Sequence, residues 1–242
     1  EPDLFLEMFE KDWGEKLVSA DDDEEEKEEK EEKEGTDARI YSYKDGIRLV
    51  IGYMDFLVPS GEAEENAKYN YMWTDGVAVT ATHKAHEIIF ISGGESVFDR
   101  AFFYSKVISC LCKIENNIGL YSNGVVYEPK MIVKMCEIVK ENSLPIPALV
   151  WCGIGKEEDG FSSWTAGMKC FGFDEMEIIH SGKKPSELQE LMLILVDYCI
   201  NNDIGFHDGE TVGLTVSVQI KVEKTKGYNV DEDGETLKIS VI

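Results

Sequence analysis

Residues 186–201 read SELQELMLILVDYCIN, and that stretch decides the fold. Leu188, Leu191, Met192, Leu195, Val196 and Cys199 recur three and four positions apart, the spacing that puts side chains on one face of an α-helix. Ser186 followed by Gln189 matches a capping box, so the helix is expected to begin there. Its apolar arc is wider than a surface helix needs, which predicts a central helix with a sheet on one side and a second layer, or another subunit, on the other. The flanking sequence supplies the sheet. Strands are expected near residues 148–153, 163–171 and 175–180 before the helix, with a turn at 156–160, and near 211–222 and 237–241 after it. Strands joined by hairpins and interrupted by helices point to an α+β fold, a mixed, largely antiparallel sheet with helices packed on it.

Further out, residues 2–16 carry Leu4, Phe5, Met8 and Phe9 at helical spacing, with Trp13 and Gly14 as the stop. Residues 40–43, the turn signal Lys44-Asp45-Gly46 and residues 47–58 read as a hairpin. Residues 62–71 look helical and 87–91 form a strand, while 77–82 fit either a strand or a helix end. Val97, Ala101, Tyr104, Ile108 and Leu111 mark a helix over 96–113, and 117–127 read as strand, turn and strand. Pro129 opens a helix running to about residue 142. The expected organisation is an N-terminal helix and lead-in over 1–20, an acidic low-complexity loop over 21–36 and a single α+β domain over 37–242.

The 48 Asp and Glu outnumber the 24 Lys and Arg, a net charge of −24. Residues 21–34, DDDEEEKEEKEEKE, hold eleven acids and three lysines, so a third of that charge sits in one run. Only Arg39, Arg48 and Arg100 are arginines. Nucleic acids and anionic membranes are bound through clustered Lys and Arg, so neither is an expected partner, whereas a basic protein is. The six cysteines lie in apolar segments without a C-x-x-C pair, the pattern of reduced, buried thiols and of a cytoplasmic protein. No run of eighteen apolar residues is present, and the acidic start is not what a secretory leader needs.

Trp13-Gly14, His83-Lys84-Ala85-His86, Gly119-Leu120-Tyr121 with Asn123-Gly124, Trp151 with Gly153, Gly167, Phe171-Gly172-Phe173-Asp174-Glu175-Met176-Glu177 and Asp208-Gly209-Glu210-Thr211-Val212-Gly213, taken together, resemble a bacterial family known as domain of unknown function 4261. The likeness runs from about Asp12 onward and is most specific at residues 171–177 and 208–213. It implies a single α+β unit and no established activity. The acidic run at 21–34 is no part of the family's pattern.

His83 and His86 are the first candidates for chemistry, because paired imidazoles can ligate zinc or pass protons. Residues three apart converge on a helix or turn and diverge on a strand; the strand expected at 87–91 favours divergence and structural roles. No metal and no cofactor are therefore expected. Glu175 and Glu177 share a strand face and, with Asp208 and Glu210, could serve as general acid and base or hold a hard cation. With 48 acids in the chain, chance proximity and a turn at Asp208-Gly209 are the simpler reading. Cys152-Gly153-Ile154-Gly155 is followed by Lys156-Glu157-Glu158-Asp159, whose acids would repel a phosphate, so it reads as a hairpin and not a dinucleotide loop. Trp151, Trp164 and Phe171 cluster around the same strands, as core or, where they face outward, as a binding platform.

No nucleophile elbow and no phosphate loop is present. The sequence thus favours a non-enzymatic binding or interaction protein with an acidic surface and assigns no catalytic residue. The alternative is a hydrolase or metal-dependent enzyme using His83, His86 and the carboxylates Glu175, Glu177, Asp208 and Glu210. That alternative requires the six side chains to meet in one cleft; an exposed aromatic patch would favour the interaction protein.

Overall fold

The computed structural model describes residues 2–19, 37–214, 218–230 and 235–242. The chain divides into two compact units, Glu1–Pro145 and Ile146–Ile242, a boundary that falls inside the stretch read from sequence as one domain. The acidic loop expected over 21–36 lies outside the described residues.

In the first unit, α1 (Pro2–Trp13), β1 (Val18–Ser19), β2 (Asp37–Ser42) and β3 (Arg48–Met54) are followed by α2 (Glu62–Ala67), α3 (Gly76–Thr80), β4 (His86–Ser92) and α4 (Val97–Leu111). The hairpin β5 (Leu120–Ser122) and β6 (Val125–Tyr127) leads to α5 (Pro129–Cys136), which continues as a 3-10 turn over Glu137–Glu141. Residues 77–82, open between strand and helix in the sequence, contribute to α3. Strands β1 to β4 lie side by side in that order, all antiparallel. Between β2 and β3, Asp45 (φ 58°) and Gly46 (φ 71°) both take the left-handed conformation that a tight turn between right-twisted strands requires. Tyr41, Leu49 and Ile51 join Phe5 and Phe9 of α1 and Phe103 and Val107 of α4 in one buried core. Tyr43 stacks on Phe103 with ring centres 4.3 Å apart, and Phe9 meets both rings edge-on. Helix α4 starts where Ser96 Oγ accepts the Asp99 N–H and the Asp99 carboxylate accepts the Ser96 N–H, each at 3.1 Å.

The second unit comprises α6 (Ile146–Leu149), β7 (Trp151–Glu157), β8 (Gly160–Ala166), β9 (Met176–Ser181), α7 (Pro185–Asn202), β10 (Thr211–Gly213), β11 (Gln219–Lys226) and β12 (Glu235–Val241). The strands run in the order β10-β11-β12-β9-β8-β7. Neighbours are antiparallel except β12 and β9, which pair in parallel. Ala148, expected to open a strand, belongs instead to α6, because the Val150 N–H returns to the Ile146 carbonyl at 2.8 Å and the strand begins only at Trp151.

Helix α7 is the helix read from residues 186–201, with two corrections. Pro185 takes the first helical position, and the Glu187 carboxylate caps the turn by accepting the Lys184 N–H at 2.8 Å, in place of Ser186 and Gln189. Nor is α7 buried all round. Leu188, Met192, Leu195, Val196, Cys199 and Ile200 are buried, with β7, β8 and α6 as neighbours, whereas Ile194 and Tyr198 are exposed. The fold class is the expected α+β, and α7 is a single layer on the sheet of its unit. No described helix is long and apolar enough to cross a membrane.

Candidate functional site

His83 follows α3 in a loop, and its side chain is only 8% exposed. Its Nε2 accepts the Val58 N–H at 2.9 Å, so the ring proton sits on Nδ1, which donates to the Thr80 carbonyl at 2.8 Å. No nitrogen of His83 remains for a metal. His86 opens β4, with Nδ1 2.9 Å from the Phe56 carbonyl and the Phe56 ring edge-on to the imidazole at 5.2 Å. Both histidines therefore pin the segment 56–58 that follows β3.

Glu175 and Glu177 are both buried, yet each serves a different loop. Glu175 accepts the Gly167 N–H at 2.9 Å, the Lys169 N–H at 3.3 Å and the Thr165 hydroxyl at 2.7 Å, which closes the 3-10 turn Met168–Phe171. Glu177 accepts the N–H of Tyr228 at 3.0 Å and of Asn229 at 3.1 Å, tying the connection between β11 and β12 to β9. Charge-assisted bonds of this kind are what allow a carboxylate to be buried. Glu210 accepts the His207 N–H at 2.9 Å across the Asp208-Gly209 turn, which forms as read, and Asp208 ties that turn to β11 by accepting the Lys224 N–H at 2.8 Å.

The aromatic platform needs correction. Trp151 and Phe171 are buried, and a buried ring is core, not binding surface. Trp164 lies across the two glycines of β7: a Cβ on Gly153 would come within 2.4 Å of the indole, and one on Gly155 within 3.2 Å. Those glycines make room for the ring.

What the second unit does bring together is Glu157, Asp159 and His180. The turn between β7 and β8, closed at Glu157↔Gly160, carries the two carboxylates to the end of β9. There His180 adopts φ 50° beside a register shift in the β8–β9 pairing. His180 Nδ1 lies 2.8 Å from both Asp159 Oδ1 and Glu157 Oε2. Its hydrogen goes to Asp159; the approach to Glu157 is electrostatic and leaves Oε2 buried without a hydrogen bond. The other Glu157 oxygen accepts the Ser162 hydroxyl, Ser162 Oγ accepts the His180 N–H at 3.2 Å, and the Tyr228 ring packs against the imidazole at 5.3 Å. The hydrogen bond with Asp159 raises the His180 pKa above its ordinary value and lowers that of Asp159.

One oxygen from each acid and the ring nitrogen lie within 4.8 Å of one another, the grouping of this kind found among the described residues, and none of the six acids and histidines singled out from sequence belongs to it. Mixed histidine and carboxylate donors suit a small divalent cation, although the proton on Nδ1 would have to leave first. Sequence reasoning missed the group because Asp159 and His180 lie 21 positions apart in the chain. The turn at 156–160 and the strand ending at 180 were both legible, but their ends meet only through β8.

None of the curated proteins and none of the solved structures compared with the chain matches it. Residues 164–240, a span narrower than the resemblance read from Asp12 onward but one that holds Glu175, Glu177, His180, Asp208 and Glu210, match the model of the family described as Domain of unknown function (DUF4261).

Proposed function

We propose that this chain is a non-enzymatic, cytoplasmic interaction protein whose acidic surface receives a basic protein partner. The observation that supports this reading is how the candidate chemistry is used: His83, Glu175, Glu177, Asp208 and Glu210 each bond backbone N–H groups and not one another, as structural groups do. A net charge of −24 selects the partner, because such a field speeds encounter with cationic surfaces and weakens with salt. Five of the six free cysteines are buried, in keeping with a reducing compartment. Fluorescence anisotropy with a labelled lysine-rich peptide and an acidic peptide of equal length tests the reading. The basic peptide alone should bind, more weakly as sodium chloride rises from about 0.05 to about 0.5 M. Binding of neither peptide at low salt, or of both alike, would refute it.

Metal-dependent chemistry is a second reading, supported by the Glu157, Asp159 and His180 group alone. Calorimetric titration with zinc chloride at neutral pH should then show saturable binding with proton release, lost in His180→Ala. Identical isotherms for parent and variant dismiss it.

A further inference from the structure

The sheet of the first unit has one blunt edge and one open edge. At one side β1 is two residues long. At the other, β4 is seven residues long and among the described residues pairs only with β3, in unbroken register from Arg48↔Ser92 to Met54↔His86. Exposed edges are normally blunted by proline, charged side chains, a bulge or shortness; residues 86–92, HEIIFIS, carry no proline, no lysine and no bulge, and Glu87 is their single charge. Among the described residues no backbone group pairs with the outer edge of β4. Its side chains are apolar on both faces. Ile89 and Ile91 pack on the core, while on the opposite face Ile88 is 53% and Phe90 59% exposed. Ile88 stands across from Gly52, so the facing residue of β3 offers no side chain to cover it. Phe56, held against His86, extends the same apolar surface.

We infer that β4 pairs with itself: two copies of this chain join antiparallel, β4 to β4, about a two-fold axis at Ile89, and their four-stranded sheets become one. The strand's own sequence names a second copy as the occupant. Centred on Ile89, the pairing engages all seven residues and sets Ile88 opposite the second copy's Phe90 and Phe90 opposite its Ile88. These are two cross-strand pairs of the aromatic and β-branched kind that stabilise antiparallel ladders. Glu87, the single acid in the strand, faces Ile91. The two Glu87 side chains then stand four residues apart along the ladder, about 14 Å, outside the screening length of about 10 Å at 0.1 M salt. An isologous contact of this type closes on itself and leaves neither β4 edge open. This goes beyond the acidic-surface reading and does not depend on it.

Light scattering coupled to gel filtration of the full chain tests the inference. At about 0.1 mM, where a dimer of micromolar affinity is nearly saturated, the expected mass is twice the chain's 27.3 kDa. Ile88→Lys combined with Phe90→Lys sets lysine against lysine across the axis, and the mass should fall to that of one chain with an unchanged far-ultraviolet circular dichroism spectrum. Ile88→Lys combined with Phe90→Glu sets lysine against glutamate and should restore the doubled mass, which only this register allows. A monomeric parent, a doubled mass in the double-lysine variant, or no recovery in the lysine and glutamate variant would each overturn the inference. Should the variants misfold, amide exchange in the parent decides. Exchange over residues 86–92 slows as concentration rises from about 1 to about 100 μM when β4 pairs, and equal exchange at both concentrations overturns it.

Discussion

At position 180 a histidine occupies the left-handed region, which non-glycine residues seldom take, and what surrounds it explains how it stays there. Ser162 holds its N–H, and Asp159 and Glu157 hold its ring. The hydrogen bond with Asp159 raises its pKa above 6.5, so the folded protein binds this proton more tightly than the unfolded chain does. The resulting stabilisation is fully present below pH 6.5 and is lost as pH rises through the folded-state value. Proton magnetic resonance of the imidazole should show a midpoint above 6.5 that moves down in Asp159→Asn. A midpoint unaffected by that substitution would show that the pairing does not form. The cysteines divide just as sharply. Burial pushes Cys112, Cys136, Cys152 and Cys199 up to about 12 and Cys110 up to about 11. Cys170, expected to be buried with the rest, is exposed: the turn that Glu175 closes sends Met168 and Phe171 inward and leaves Lys169 and Cys170 outside. A chromogenic disulfide reagent should label one thiol promptly in the native protein and the other five only after denaturant. Prompt labelling of two or more would contradict the burial.

Helix α7 shows what periodicity can and cannot convey. Its length was legible because leucines at three- and four-residue spacing admit no strand, but the choice of buried arc was not, since Ile194 and Tyr198 are as apolar as the residues beneath them. Leu195→Ala should cost about 2–5 kcal/mol, the range for a leucine removed from a packed core, and Ile194→Ala should stay within about 0.5 kcal/mol of the parent. Equal losses in chemical denaturation would mean that both faces are covered. Short elements were harder to read. Gly76 to Thr80 is rich in β-branched residues yet helical: the Val79 N–H returns to the Asp75 carbonyl at 2.9 Å and the Ala81 N–H to the Val77 carbonyl at 3.0 Å. The same limit applies to the site. Glu175 and Glu177 could be placed on one strand from sequence, but the N–H groups they hold belong to turns up to 52 residues away, and no local pattern reports such partners.

At the scale of the whole molecule, charge is what sets this chain apart. Like charges in a compact state repel, and salt relieves that repulsion. Replacing the eleven acids of residues 21–34 by glutamine changes the net charge from −24 to −24 + 11 = −13. Substitution is a cleaner test than deletion. Ser19 pairs with Tyr41, so Asp37 lies four residues further along the ladder, about 14 Å away. Deletion would leave only Ala20, Gly35 and Thr36 to span that gap, four steps that reach about 13–14 Å when fully extended, and the shortened link would pull on β1. In the substituted chain the pairing is untouched and only the field changes. The parent's melting temperature should rise with added sodium chloride. The glutamine variant should melt higher at low salt and gain less from added salt, because part of the repulsion is already gone. Superimposable salt profiles would place the repulsion wholly in the remaining −16 of the chain, which is −24 less the −8 of the run.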